Sequence, residues 1–262
     1  MDPVALEIGK LQIRWYGIFM AIGFLAGFLL VQYRAEKKGF AKEQAADLLF
    51  WSLIGGLVGA RLLYVFQNWD HFSRDWLEIV KIYHGGLVFY GGLTGAVLAI
   101  VALSLRYRWS LRKVGDLLAP ALPLGQAFGR IGCLLNGCCF GKPWSGFFSI
   151  TYPTHSEVAF VQYQKGLIAT TTSACLPVIP IQFMHSLMGA VICTTLLLLD
   201  KRFKKSGLLF PTYLVLYATG RFVLEFGRGD YLNMIGPLTP AQAICLFLLP
   251  LGLFWLILEH KR

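Results

Sequence analysis

Seven stretches of the chain, 15–33, 47–67, 86–105, 114–134, 178–199, 208–226 and 238–258, are continuous apolar runs interrupted by very few charges. Each is close to the roughly 20 residues that a helix needs to cross a bilayer. Inside hydrocarbon every backbone polar group has to be satisfied within the segment, so seven such runs predict helices rather than open sheet. The expected fold is therefore all-α: a polytopic membrane protein with seven transmembrane helices. Composition agrees, with 56% of residues apolar and only 15% charged, against about 45–50% and 25% in soluble domains. The formal charge of +10 would suggest nucleic acid only in a polar chain with a basic face, so no nucleic-acid partner is expected. The first run lacks a basic leader and a small-residue cleavage site, and reads as a helix and not as a signal peptide.

The positions of the cations predict an orientation. The connections 34–46, 106–113 and 200–207 carry four Lys or Arg each, and with Lys261 and Arg262 one side holds fourteen. The opposite side holds seven: Lys10, Arg14, Arg74, Lys81, Lys142, Lys165 and Arg228. The positive-inside rule then places the N-terminus outside and the C-terminus in the cytoplasm.

Three cations remain within the apolar runs: Arg61, Arg130 and Arg221. A charge at that depth costs at least ~2.5–3.5 kcal/mol. All three are expected within one or two turns of the outer end of their spans, and Glu225 shares a helical face with Arg221. Snorkelling with one intrahelical ion pair is one reading. An anionic ligand at the outer leaflet, such as a phospholipid headgroup, is the other.

Small residues spaced by four, Gly23 with Gly27, Gly55 with Gly59, Gly91 with Gly95 and Gly125 with Gly129, predict close helix packing. The fourth run also carries Pro120 and Pro123, then Gly132 and an Asn136-Gly137 turn signal. Irregular backbone at membrane depth is tolerated where protein buries it or water lines it. That segment is read either as one wall of a polar cavity around Arg130 or as a simple proline kink.

Four segments together, Ile13-Arg14-Trp15-Tyr16-Gly17, Gly85-Gly86-Leu87-Val88-Phe89-Tyr90-Gly91-Gly92, Phe128-Gly129-Arg130-Ile131-Gly132-Cys133-Leu134-Leu135-Asn136-Gly137 and Gly220-Arg221-Phe222-Val223-Leu224-Glu225-Phe226, resemble the prolipoprotein diacylglyceryl transferase family along nearly the whole chain. The resemblance implies an enzyme of the bacterial cytoplasmic (inner) membrane. Its partners would be phosphatidylglycerol and the signal peptide of a prolipoprotein. The diacylglyceryl group would move to the lipobox cysteine thiol as a thioether, with release of glycerol phosphate and without a metal or cofactor. Arg130 and Arg221 match the family's arginines and would hold the phosphate, a task for which the planar guanidinium is suited. Glu225, Tyr16, Asn136, Arg61 and Gly141 match further positions and are expected to orient or bind substrate. Tyr90 stands where well-known members have a histidine base and is expected to assist at the thiol, with His84 as an alternative.

Other positions depart from the pattern. Cys133 replaces an asparagine, Cys138 replaces a glutamate, and Ile179-Pro180-Ile181-Gln182-Phe183-Met184-His185 keeps only the proline and glutamine of a family motif. These substitutions leave a catalytically silent phospholipid-binding paralogue as the competing reading. Cys193 and Cys245 are expected as core residues. Cys133, Cys138, Cys139 and Cys175 would lie on the oxidising side, where a disulfide from Cys175 to the signature segment is one possibility. The C-x4-C-C spacing fits none of the usual zinc or cluster patterns. The whole of 1–262 is read as one membrane-embedded catalytic domain, with 135–177 as an outward-facing head or lid.

Overall fold

The computed structural model describes residues 3–9, 11–73, 75–81, 85–203, 205–231 and 237–261. Lys10, Arg74, Lys204 and Arg262, which entered the charge count, and His84, the alternative base, lie outside the described residues. A short antiparallel hairpin, β1 (Val4–Ile8) with β2 (Leu11–Arg14), precedes the helices. It is the one departure from the all-α expectation among named elements. The helices are α1 (Trp15–Ala35), α2 (Lys42–Gln67), α3 (Trp69–Phe72), α4 (Phe89–Arg106), α5 (Leu111–Leu118), α6 (Ala121–Asn136), α7 (Glu157–Gln164), α8 (Ile181–Arg202), α9 (Leu209–Glu225) and α10 (Pro240–Lys261).

Six helical stretches among the described residues are long and apolar enough to cross a membrane: Trp15–Lys38, Lys42–Gln67, Phe89–Arg106, Leu111–Asn136, Ile181–Arg202 and Pro240–Lys261. The predicted run 208–226 forms α9, which has 17 residues. Large apolar side chains such as Leu98, Phe247 and Phe254 are exposed along these helices. Against lipid tails such exposure carries no hydrophobic penalty.

The chain divides into two compact units, Val31–Leu117 and the remainder, Met1–Leu30 with Leu118–Arg262. Within Val31–Leu117, α2 and α4 pack through their glycines. A Cβ on Gly59 would strike the carbonyl of Gly91, and one on Gly95 would strike the carbonyl of Gly55. Two of the predicted small-residue pairs, Gly55 with Gly59 and Gly91 with Gly95, are therefore one antiparallel seam where only hydrogen fits. At the other end of this unit, Arg34 donates to the carbonyls of Leu117 and Asp116, satisfying orphan carbonyls at the C-terminus of α5.

In the second unit α6 packs against the first half of α1 and against α8. Gly132 lies on Tyr16 and Phe19, Gly129 on Met20, and Gly189 of α8 on the carbonyl of Pro123. Ser186 of α8 donates to the carbonyl of Ala127 at 2.9 Å. The break expected at the prolines falls at Ala119-Pro120, between α5 and α6. Pro123 sits in the first turn of α6, where a missing N–H leaves no hydrogen bond unmade.

The segment after α6 forms a small apolar core of its own around Phe140, Tyr152, Val158, Ala159, Val161, Cys175 and Val178. Ser156 caps α7 by accepting from the Ala159 N–H. Gln162 both donates to and accepts from the backbone of Leu176, which closes this core from one side.

Candidate functional site

The site forms where α6, α8 and α9 present polar groups to one another inside an apolar unit. Gln126 and Arg130 are four residues apart on α6, so they share a face. Together with His185 and Met188 of α8 and Tyr217 and Arg221 of α9 they line a cavity of about 30 Å³. Arg221 is 7% exposed and Glu225 2%. The Nη2 of Arg221 meets the Oε2 of Glu225 at 2.9 Å, and its Nη1 lies 3.0 Å from His185 Nε2. Because a guanidinium only donates, Nε2 accepts and the imidazole is the neutral tautomer protonated at Nδ1. Glu225 also accepts from the Thr239 hydroxyl at 3.2 Å and from the Tyr231 phenol, whose pKa is pushed up to about 12 by burial and by that hydrogen bond.

Arg221 is thus neutralised and oriented from inside the protein. Arg130 is not. Among the described residues no hydrogen bond or ion pair ties down its guanidinium, although it lines the same cavity. One matched pair and one unmatched cation in a common cavity leave a net positive site that suits an anion.

The other expected residues fall at several places. Tyr16 opens α1 against Gly132 and lies within electrostatic range of Arg130. Asn136 is the last residue of α6. Gly141 is buried where three segments cross. Its N–H donates to the carbonyl of Ile179, and a Cβ there would lie 2.5 Å from that oxygen and 3.0 Å from the carbonyl oxygen of Gly227. The crossing backbones leave no room there for a side chain. Tyr90 and Arg61 belong to the Val31–Leu117 unit. Tyr90 is exposed near the start of α4. Arg61 is buried, and its Nε donates to Ile79 O at 2.9 Å, its Nη1 to Gly85 O and Gly86 O at 2.6 and 3.1 Å, and its Nη2 to Glu78 O at 2.5 Å. Those bonds hold the segment leading into α4.

The cysteines are all free thiols, so the disulfide from Cys175 that the sequence left as one possibility is not made. Cys175 is turned into the head core, donating to Pro153 O at 3.4 Å. Gln182, retained from the family motif, is fully buried and donates to Cys138 O at 2.8 Å and to the Tyr152 hydroxyl at 3.3 Å. Tyr152 in turn donates to Leu134 O at 3.0 Å. This chain of bonds ties the head to the end of α6.

Three site residues escape a reading of the sequence alone: His185, Gln126 and Arg228. His185 reads there only as a departure from a motif, and Arg228 only as one of seven loop cations. Gln126 carries a usable signal, the four-residue spacing from Arg130. Arg228 is 8% exposed and chelates Asp230 through Nε and Nη2 at 2.7 and 2.6 Å. Burial disfavours its charge, but the Asp230 carboxylate more than offsets this and raises its pKa.

Fold and site together define a multi-pass helical membrane protein with paired arginines at a small polar cavity. The sequence profile of the family described as prolipoprotein diacylglyceryl transferase matches residues 3–258, and the chain belongs to that family. A phosphatidylglycerol--prolipoprotein diacylglyceryl transferase of Clostridium tetani is 32% identical over 262 residues, covering 100% of this chain and 99% of the relative. The protein of that name from Listeria innocua is 33% identical, covering 100% of this chain and 91% of its own length. That of Staphylococcus carnosus is 31% identical, with 100% and 92% covered.

Proposed function

We propose that the chain transfers the diacylglyceryl group of phosphatidylglycerol to the lipobox cysteine of a prolipoprotein signal peptide. The observation that carries this reading is Arg130, a cation with no partner among the described residues, in one cavity with Arg221. The sulfur of the acceptor forms a C–S bond to the glyceryl carbon, the C–O bond to phosphate breaks, and glycerol phosphate leaves. The phosphodiester becomes a monoester, so negative charge grows on its oxygens, and fixed cations in a dry site stabilise that growth. Arg130 and Arg221 hold those oxygens. Glu225 and His185 fix the plane of Arg221, and Asn136 and Tyr16 position the headgroup. Tyr90 assists removal of the thiol proton. Gly141 and Arg61 act through the backbone they organise.

In this proposal α9 is a seventh span, the N-terminus is outside, the C-terminus is cytoplasmic, and the membrane is the bacterial inner membrane. The 1–262 chain works as one catalytic domain, with the 135–177 head facing outward towards the signal peptide. A catalytically silent phospholipid-binding paralogue finds no support in the relatives, which carry the transferase name.

The test is transfer of labelled diacylglyceryl from phosphatidylglycerol to a lipobox peptide by the purified chain. Transfer that is abolished by replacing the peptide cysteine with serine is the expected result, and no transfer by folded protein refutes the proposal. Accessibility of single reporter cysteines at each terminus tests the orientation.

A further inference from the structure

The turn that ends α6 gathers three thiols that the transferase reading does not use. Gly137 adopts the left-handed conformation at φ +77° and reverses the chain. The N–H groups of Gly137 and Cys138 both donate to Cys133 O, at 3.0 and 3.2 Å. Cys138 therefore folds back over Cys133, one turn earlier on the helix. Cys139 then also takes positive φ, +58°, a conformation disfavoured for a residue bearing a Cβ. Glycine or asparagine would satisfy that backbone with less strain, so the turn retains a thiol at an energetic cost. The result is that the sulfurs of Cys133, Cys138 and Cys139 all lie within 4.8 Å of one another.

The spacing C-x4-C-C matches no usual metal pattern because the ligands converge through a helix cap and not through a knuckle. Geometry nevertheless suits ligation. A metal–sulfur bond of about 2.3 Å places three sulfurs around one ion about 4 Å apart, which this group reaches with small side-chain rotations. Thiolates select soft ions. Among the described residues the group contains no fourth His, Cys or carboxylate ligand, whereas structural zinc takes four. We infer that Cys133, Cys138 and Cys139 form a trithiolate site for a soft three-coordinate ion, Cu(I).

The test uses the full-length chain in detergent, anaerobic and reduced, titrated with Cu(I) presented as its bicinchoninate complex with excess Zn(II) present. The expected result is withdrawal of one Cu(I) per chain, with three sulfur neighbours by X-ray absorption. Cys133→Ser, Cys138→Ser and Cys139→Gly should each weaken uptake by more than about 100-fold, beyond the 10–100-fold that changes around a ligand shell cause. Cys139→Gly relieves the positive-φ strain, so it should fold at least as well as the parent, which thermal unfolding checks. Cys193→Ser and Cys245→Ser, buried in α8 and α10, should leave uptake unchanged. Uptake unaffected by Cys139→Gly, a two-sulfur shell, or Zn(II) retained against Cu(I) would overturn the assignment.

Discussion

Arg61 and Arg221 have the same exposure, 7% each, and both sit in apolar helices, yet the two regions deal with the charge differently. Around Arg61 the solution is dipolar. Backbone carbonyls of Glu78, Ile79, Gly85 and Gly86 take its donors, and the aromatic faces of Phe72 and Tyr64 lie 5.2 and 5.6 Å away. Around Arg221 the solution is ionic: a carboxylate, a neutral imidazole and, across a small cavity, a second arginine. The first arrangement uses up the guanidinium in folding a segment of chain. The second leaves positive potential available, because Glu225 balances one of two cations. A buried arginine in a membrane span is thus a functional signal only when its surroundings leave charge uncompensated.

The largest effect that tests this contrast comes from Arg221→Ala, which strands the Glu225 carboxylate. Breaking a buried pair costs about 3–5 kcal/mol, so thermal unfolding in detergent should fall sharply and transfer should be lost. Replacing Arg221 and Glu225 together by Met should restore the stability and leave transfer absent. Next comes Arg130→Ala. Removing one transition-state donor typically lowers the rate by about 10²–10³-fold, while the melting temperature should barely move, because Arg130 has no hydrogen-bond or ion-pair partner to lose among the described residues. A large loss of stability in this variant would break the comparison.

Arg61→Gln should do the opposite. Leaving buried carbonyls short of donors costs about 1–3 kcal/mol, seen as a lower melting temperature. Activity per folded molecule should change far less than in Arg130→Ala. The smallest effect is a pH dependence. Burial pushes the Tyr152 phenol from 10.0 up to about 12. A folded-state pKa raised in this way contributes stability that is intact below pH 10.0 and lost as the pH rises through about 12. Tyr152→Phe should flatten that alkaline limb of the melting-temperature profile, at the cost of the hydrogen bond to Leu134.

Much of the fold was legible in the chain because hydrocarbon is an undemanding solvent to read: an apolar run of sufficient length has to be a helix. All seven runs became helices, with the fourth broken at its proline. The glycine pairs identified a close seam, since a missing Cβ has one packing consequence. The hairpin before α1 was not legible, because its alternation is short and runs directly into apolar sequence. In the site, Arg130, Arg221 and Glu225 were legible as charges where charge is costly. His185 was not, and Gln126 only through its four-residue spacing from Arg130, because a neutral polar residue in a helix acquires meaning from what faces it. Arg228 was hidden among loop cations until the pairing of its segment with Phe140 and Gly141 buried it.

By itself the sequence determined that this is a helical membrane protein of the prolipoprotein diacylglyceryl transferase family with costly arginines. Length, apolarity and a few ordered motifs are properties of the chain that no packing can alter. The tertiary structure decided which arginine is spent on backbone and which is left for an anion. It also decided that three cysteines with an unpromising spacing converge. Both outcomes depend on which groups meet across helices and turns, and such meetings are set by side-chain direction and backbone reversal.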